Sequence, residues 1–288
     1  MITLHFAGYQ PARSVHTRAL HALRHAVTRY AGHNLSIVVT DSIVAAGHKA
    51  AELLSMVARG EIDGCYFASS YLATNIPALR IFDRPFEAGS RPEVFARLDS
   101  GAGAVLAGAV AVATPYRVLG WWDNGIRHVS NAVRPIRTPA DCAGLRLRTL
   151  DNAQHQAAFR RLGFEPVFID VADLPRAVAD RTVDAQENPL TNMINFGLHA
   201  QHGYVSLTGH LLGVAPLLVN RARYDALPRE LRQALAAAAT ESVAAQRKLA
   251  VAEDAACLKL LANVGVAVLG PDEIDQKGFR TAVGRASI

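Results

Sequence analysis

The sequence predicts an α/β protein built as two lobes, and three observations carry that expectation. Strands and helices alternate from Ile2 to Phe67, the alternation returns from Leu145 to Gln186, and a long segment from Pro228 to Asn263, with no glycine and no further proline, follows. Two β-α-β-α-β runs call for sheets of mostly parallel strands with helices packed on their faces.

Each element has a local reason. Ile2–Phe6 reads as a strand, and from Val15 a helix follows with Leu20, Leu23, Val27 and Tyr30 on one face, stopped by Gly32. Leu35–Val39 is a continuous apolar run suited to a buried parallel strand. A helix from Ala45 to Arg59, stopped by Gly60, leads to a third strand at Gly64–Phe67. A proline- and arginine-rich loop, Ile76 to Arg91, precedes a helical stretch and a strand near Tyr116–Trp121. The second run has strands at Leu145–Thr149, Pro166–Ile169 and Val183–Gln186, with helices at Asn152–Leu162 and Asp173–Arg181. The alanine- and leucine-rich segment has Pro228 at its first helical position and Gly265 just past its end, the usual start and stop signals. As one helix it would run ~50 Å, against ~30 Å for a small domain, so it is expected to kink or to lie across both lobes.

Composition narrows the function classes. The chain has 288 residues, is half hydrophobic, and carries 30 basic against 25 acidic residues for a net charge of +5. The basic residues are scattered, with no run of the kind that marks a nucleic-acid surface. Cys65, Cys142 and Cys257 are too far apart for a zinc cluster or a disulfide framework and read as small buried side chains. The longest apolar stretch, Ala102–Thr114, is too short to cross a bilayer, and MITLHFAGYQP lacks the pattern of a secretory signal.

No GxSxG, HExxH or GxxxxGK[ST] motif occurs, and the glycines at Gly101, Gly103 and Gly108 miss dinucleotide spacing. His199, His202 and His210 lack a carboxylate at ligand spacing, so neither a metal nor a cofactor is expected. Asp184 and Glu187 could serve acid–base chemistry, but no nucleophile stands near them. The residues suggest binding without reaction. In parallel α/β sheets ligands sit beyond the carboxyl ends of the strands, where Arg148 and Asn188 fall, with Arg127 early in the segment leading to the second lobe. A guanidinium matches a carboxylate with two parallel hydrogen bonds, though an internal salt bridge is an equal reading for an arbitrary arginine.

Pattern separates the two readings. Gly144-Leu145-Arg146-Leu147-Arg148, Leu162-Gly163-Phe164-Glu165-Pro166, Val183-Asp184-Ala185-Gln186-Glu187-Asn188-Pro189 and Leu207-Thr208-Gly209-His210 occur in order, after Gly60-Glu61-Ile62-Asp63 and Asp123-Asn124-Gly125-Ile126-Arg127. This series resembles the DctP-type solute receptors of TRAP (tripartite ATP-independent periplasmic) transporters. The resemblance implies a two-lobed periplasmic-binding-protein-like fold, with 1–124 and 214–252 in one lobe, 125–213 and 253–288 in the other, and a long helix spanning both. It implies a ligand held in the cleft as the lobes close, with Arg148 pairing its carboxylate. Tyr9, Gln10, Ser70, Tyr71, Trp122, Asp151 and Asp170 are further expected contacts. Ile169-Asp170-Val171 stands where sialic-acid-binding members place an aromatic residue, and Ala185 replaces a glycine. The implied function is capture of a small organic acid in the periplasm and delivery to a membrane permease, by a monomer with no enzymatic activity. An α/β enzyme using Asp184 or Glu187, and a receptor serving a signalling partner, are the alternatives.

Overall fold

The computed structural model describes residues 1–284, so the end of the second expected lobe, 285–288, lies outside the described residues. In chain order the elements are β1 (Ile2–Ala7), α1 (Val15–Ala31), β2 (Leu35–Thr40), α2 (Glu52–Arg59), β3 (Gly64–Tyr66), α3 (Arg91–Arg97), α4 (Gly103–Ala113) and β4 (Tyr116–Asn131). Then come β5 (Arg146–Thr149), α5 (Ala153–Arg161), β6 (Glu165–Phe168), α6 (Leu174–Ala179), β7 (Ala185–Pro189), α7 (Leu190–Asn195) and β8 (Tyr204–Asn220). The last are α8 (Arg221–Asp225), α9 (Arg229–Asn263), β9 (Ala267–Leu269) and α10 (Gln276–Val283).

The chain divides into two compact units. The first holds Met1–Ala78, Phe95–Asn124 and Val214–Ala252; the second holds Leu79–Val94, Gly125–Gly213 and the described residues from Glu253 onward. β4, β8 and the 35-residue α9 each contribute residues to both.

In the first unit β2, β1 and β3 pair in parallel, and β3 pairs antiparallel with the end of β8, Gly64 opposite Val219. Leu20, Leu23 and Val27 of α1 are fully buried, as the helical spacing requires, but Tyr30 is half exposed. Helix α2 begins at Glu52 rather than Ala45. Gly47 sits at φ 91, ending a short turn, and the Glu52 carboxylate accepts from the Lys49 N–H at 3.0 Å to start the helix afresh. Between α3 and α4, Gly101 adopts φ 129 and breaks an otherwise long apolar helical run, Arg91–Ala113.

In the second unit β5 lies between β6 and β7, parallel to both, and β7 pairs antiparallel with β4 from Arg127 to Asn131. Its main core includes Val129, Leu145, Leu147, Phe159, Phe164 and Phe279. The segment 79–94, placed by the sequence with the first lobe, belongs here. Asp83 is buried and accepts from Asn152 Nδ2 at 2.9 Å and pairs with His155 Nε2 at 3.1 Å, while Phe86 N–H donates to His210 O at 2.7 Å.

Asn152 also caps α5, its Oδ1 accepting from the N–H groups of Gln154 and His155. Asn152→Ala therefore loses a cap and a partner of a buried carboxylate together, an expected cost of about 2 kcal/mol. Asn152→Ser keeps a capping oxygen but not the donor to Asp83, so it should recover only part of that loss in thermal unfolding. Equal stability of Asn152→Ala and wild type would contradict this account of the α5 start.

Candidate functional site

Arg148 lies on β5, the middle of three parallel strands, opposite Val167 on β6 and Gln186 on β7. An arginine there must be covered by neighbouring strands, and Arg148 is 0% exposed. Its Nε donates to Ile169 O at 2.8 Å, which fixes the plane of the guanidinium. Among the described residues, neither NH1 nor NH2 has a hydrogen-bond acceptor. Buried guanidinium groups are nearly always paired, because desolvating a cation without a partner costs several kcal/mol. Arg148 thus presents a fixed, buried, doubly donating edge that no carboxylate of the described residues occupies.

Beside it runs a buried polar chain. The sequence ends the last strand at Gln186, but pairing with β4 carries it on to Pro189, with Glu187 opposite Val129 and Asn188 opposite His128. Gly125 stands at φ 90 where any Cβ would approach Pro189 Cβ to 2.6 Å, which accounts for the glycine before Ile126 and Arg127. Arg127 Nε and NH2 donate to the two Glu187 carboxylate oxygens at 2.6 and 2.7 Å, and NH2 also reaches Asn188 Oδ1 at 3.3 Å. Asn188 Nδ2 donates to Gln186 Oε1 at 2.6 Å, and Gln186 Nε2 donates to Ser130 Oγ at 2.6 Å. Ser130 Oγ lies 2.8 Å from His202 Nδ1, and Asn192 Nδ2 donates to Asn188 Oδ1 at 3.2 Å. Asn188 is tied into this chain through both ends of its amide, and the Arg127 fork is matched to Glu187.

Glu187 also meets His210, whose Nε2 is 3.2 Å from Oε2 while Nδ1 lies 2.8 Å from Thr208 Oγ1. Burial alone would raise the Glu187 carboxyl; the Arg127 charge and the hydrogen bonds from His210 and Arg127 outweigh it and hold it well below the usual range. With Glu187 ionised, His210 donates through Nε2 and accepts from Thr208 through Nδ1. Asp184 is likewise lowered, chiefly by the side-chain hydrogen bonds of Arg146, whose Nε and NH2 lie 2.9 and 2.8 Å from its oxygens. Both acids are ionised partners of arginines, so neither holds a proton to donate at neutral pH.

The buried histidines also make stability fall as pH falls, in a higher window than Glu187. Burial pushes His16 down to about 3 and His202 to about 4. An unfolded chain protonates these groups near 6.5, so between there and the folded values it binds more protons and stability falls as pH falls. At pH 5 each is expected to cost about 2 kcal/mol relative to pH 7. Glu187 contributes in a separate window, below about 4.3, where the unfolded carboxyl protonates first. The slope of stability against pH for His202→Asn should be shallower than wild type by one proton; parallel slopes would refute the assignment.

The expected contacts in the first unit gather around one aromatic cluster. Tyr9 lies 5.2 Å from Tyr66 and 4.9 Å from Phe67, ring centre to ring centre; Tyr71 packs edge-on against Phe67 at 4.7 Å, and Trp122 is 5.6 Å from Tyr66. Gln10 Oε1 contacts His16 Nδ1 at 3.2 Å, and His16 stacks on Tyr66. Tyr9, Gln10 and Trp122 are buried, whereas Ser70 and Tyr71 are partly open. In the second unit Asp151 is exposed, and Asp170 Oδ1 caps a turn by accepting from Ala172 N–H at 2.8 Å. The sequence reading missed Ser130, Gln186, Asn192 and His202 as members of the buried chain. The one local signal in the sequence was the run of three consecutive polar residues, Gln186-Glu187-Asn188, in what became a fully buried strand.

The family described as "bacterial extracellular solute-binding protein, family 7" (DctP) matches residues 6–286. The chain belongs to that family. Among its DctP relatives, the 2,3-diketo-L-gulonate-binding periplasmic protein YiaO of Escherichia coli (strain K12) is 31% identical over 232 residues, covering 81% of this chain and 70% of the relative. A TRAP periplasmic solute-binding protein from a Polaromonas species, solved bound to D-erythronate, is 27% identical with a TM-score of 0.92, covering 99% of this chain and 92% of that one. A Bordetella TRAP solute-binding protein is 28% identical with a TM-score of 0.91, covering 98% and 92%. The two-lobed α/β fold and the solute-receptor class of this DctP protein follow from these matches.

Proposed function

We propose that this protein captures a hydroxylated organic acid anion by pairing its carboxylate with NH1 and NH2 of Arg148, and delivers it in the periplasm to a TRAP membrane permease. The observation that carries this reading is the fully buried Arg148 guanidinium with two nitrogens lacking any acceptor among the described residues. An oxyanion with two oxygens satisfies both donors and neutralises the buried charge in one step. Arg127 is already matched by Glu187, so its role is to hold Asn188 and the β7 strand rather than to take the carboxylate directly.

The relatives guide the rest of the ligand. The named ligand of the Escherichia coli relative is a diketo sugar acid, and that of the Polaromonas protein is a four-carbon aldonate. Both carry one carboxylate on a hydroxylated or keto chain, which suits a site with one unpaired arginine and many hydrogen-bonding side chains. Tyr9, Gln10, Ser70, Tyr71, Trp122, Asp151 and Asp170 are the proposed partners of those oxygens. Asp184 and Glu187, both ionised and paired, support no acid–base step. A thermal-shift screen over aldonates, keto-aldonates and dicarboxylates, followed by calorimetry, tests the reading. Stabilisation by sugar acids is expected; none by any carboxylate at millimolar concentration would reject it.

A further inference from the structure

Helix α4, GAVLAGAVAVA, has no charged or hydrogen-bonding side chain, yet much of it faces outward. Ala104, Gly108 and Val112 recur every fourth residue on one face, with Val105 beside them; Val105 is 73% and Val112 89% exposed. A Cβ added at Gly108 would meet nothing within 4 Å. The outer face of a helix in a soluble domain is ordinarily polar, because only the core-facing stripe gains from being apolar. This face is apolar on the outside.

At the carboxyl end of α4 the surface changes character. Arg221, the first residue of α8, donates its backbone N–H to Pro115 O at 2.8 Å and its guanidinium to Ala111 O, which joins α8 to the end of α4. Tyr224 of α8 lies beneath Arg117, 4.5 Å from its guanidinium carbon. Arg117, Tyr224, Arg229, Arg232, Gln233 and Ala236 line a hollow of about 260 Å³ with no acidic residue in its wall. Arg117, Arg229 and Arg232 make no ion pair among the described residues, whereas Arg29, Arg59, Arg127, Arg146, Arg223 and Arg247 each do. Asp225 and Glu230 flank the hollow in sequence without lining it.

We infer that this part of the first unit is a docking face for an anionic phospholipid surface. Three unpaired guanidiniums complement lipid phosphates, each worth about 1 kcal/mol near such a surface. The valine and alanine side of α4 gains by entering the boundary between headgroups and acyl chains, as interfacial apolar faces do. Neither feature alone selects the bilayer; their junction at Ala111–Arg117 does, because a bilayer presents phosphate and hydrocarbon side by side. A second copy of the chain offers the three arginines no acidic complement from within the patch.

The test is flotation of the full protein with vesicles of phosphatidylcholine alone and of phosphatidylcholine with phosphatidylglycerol, at low and at physiological salt. Binding is expected to the anionic vesicles, weakening with salt. The triple variant R117Q/R229Q/R232Q should lose about a hundredfold in partitioning, and Val105→Ser with Val112→Ser about tenfold. All five positions lie on the surface, and thermal unfolding of the variants confirms that each is folded. Failure of wild type to float with anionic vesicles at low salt, or equal flotation of the triple arginine variant, overturns the proposal. So does a concentration-dependent dimer in sedimentation without flotation, which assigns the face to a second copy.

Discussion

Arg148→Met should make the ligand-free protein more stable while it loses the ligand. The wild-type guanidinium is fully buried with only its Nε satisfied, so folding carries the desolvation of a cation without a matching anion. A methionine of similar length fills the space without that cost, and replacing buried charge by apolar side chains is often stabilising, here by about 1–2 kcal/mol. That gain would raise the melting temperature by a few degrees in a chain of this size, on the order of 2–4 °C per kcal/mol. Binding should weaken by about 2–5 kcal/mol, tens- to thousands-fold, because the ligand carboxylate would lose both strong donors. Arg148→Lys should fall between the two, since a single ammonium cannot span both carboxylate oxygens. A lower melting temperature for Arg148→Met together with undiminished affinity would mean that Arg148 is a structural residue.

Glu187→Ala should have the largest effect on stability of any change in the buried chain. It strips the carboxylate from Arg127, whose side chain is about as buried as Glu187 itself, and takes the acceptor from His210 Nε2. Removing one member of a buried pair leaves an uncompensated charge and costs about 3–5 kcal/mol. The melting temperature is expected to drop by on the order of 10 °C. Glu187→Gln keeps an acceptor oxygen without the charge and should lose about half as much. A Glu187→Ala protein that melts with wild type would show that Arg127 finds another partner at no cost.

Legibility in the sequence followed the range of the forces involved. The buried stripe of α1 was readable because Leu20, Leu23 and Val27 repeat with the helix; Tyr30 shares that face but falls in the last turn, just before the Gly32 cap, and is half exposed. Arg148 was readable because a guanidinium stands at the carboxyl end of a short parallel-type strand, within a series of motifs that resembles a receptor family. Strands β4 and β8 were mostly hidden: Asp123-Asn124-Gly125 in one and Gly209 and Gly213 in the other look like turns locally. Pairing with β7 and β3 overrides those local preferences. The same limit hid the buried chain. Ser130 meets Gln186 and His202 across separations of 56 and 72 residues, set by strand register rather than by any spacing visible along the chain.

Whether a ligand carboxylate meets Arg148 is tested most directly by calorimetry with a matched ligand pair. The pair is the sugar acid that stabilises the wild-type protein best in the screen and the same molecule with its carboxylate converted to a neutral amide. The acid should bind wild type strongly, the amide should lose roughly 2–5 kcal/mol, and the two ligands should differ little in Arg148→Met, because both changes remove the same interaction. An amide that binds wild type as tightly as the acid, or an Arg148→Met protein that still prefers the acid by the full wild-type margin, would contradict the pairing of the carboxylate with Arg148.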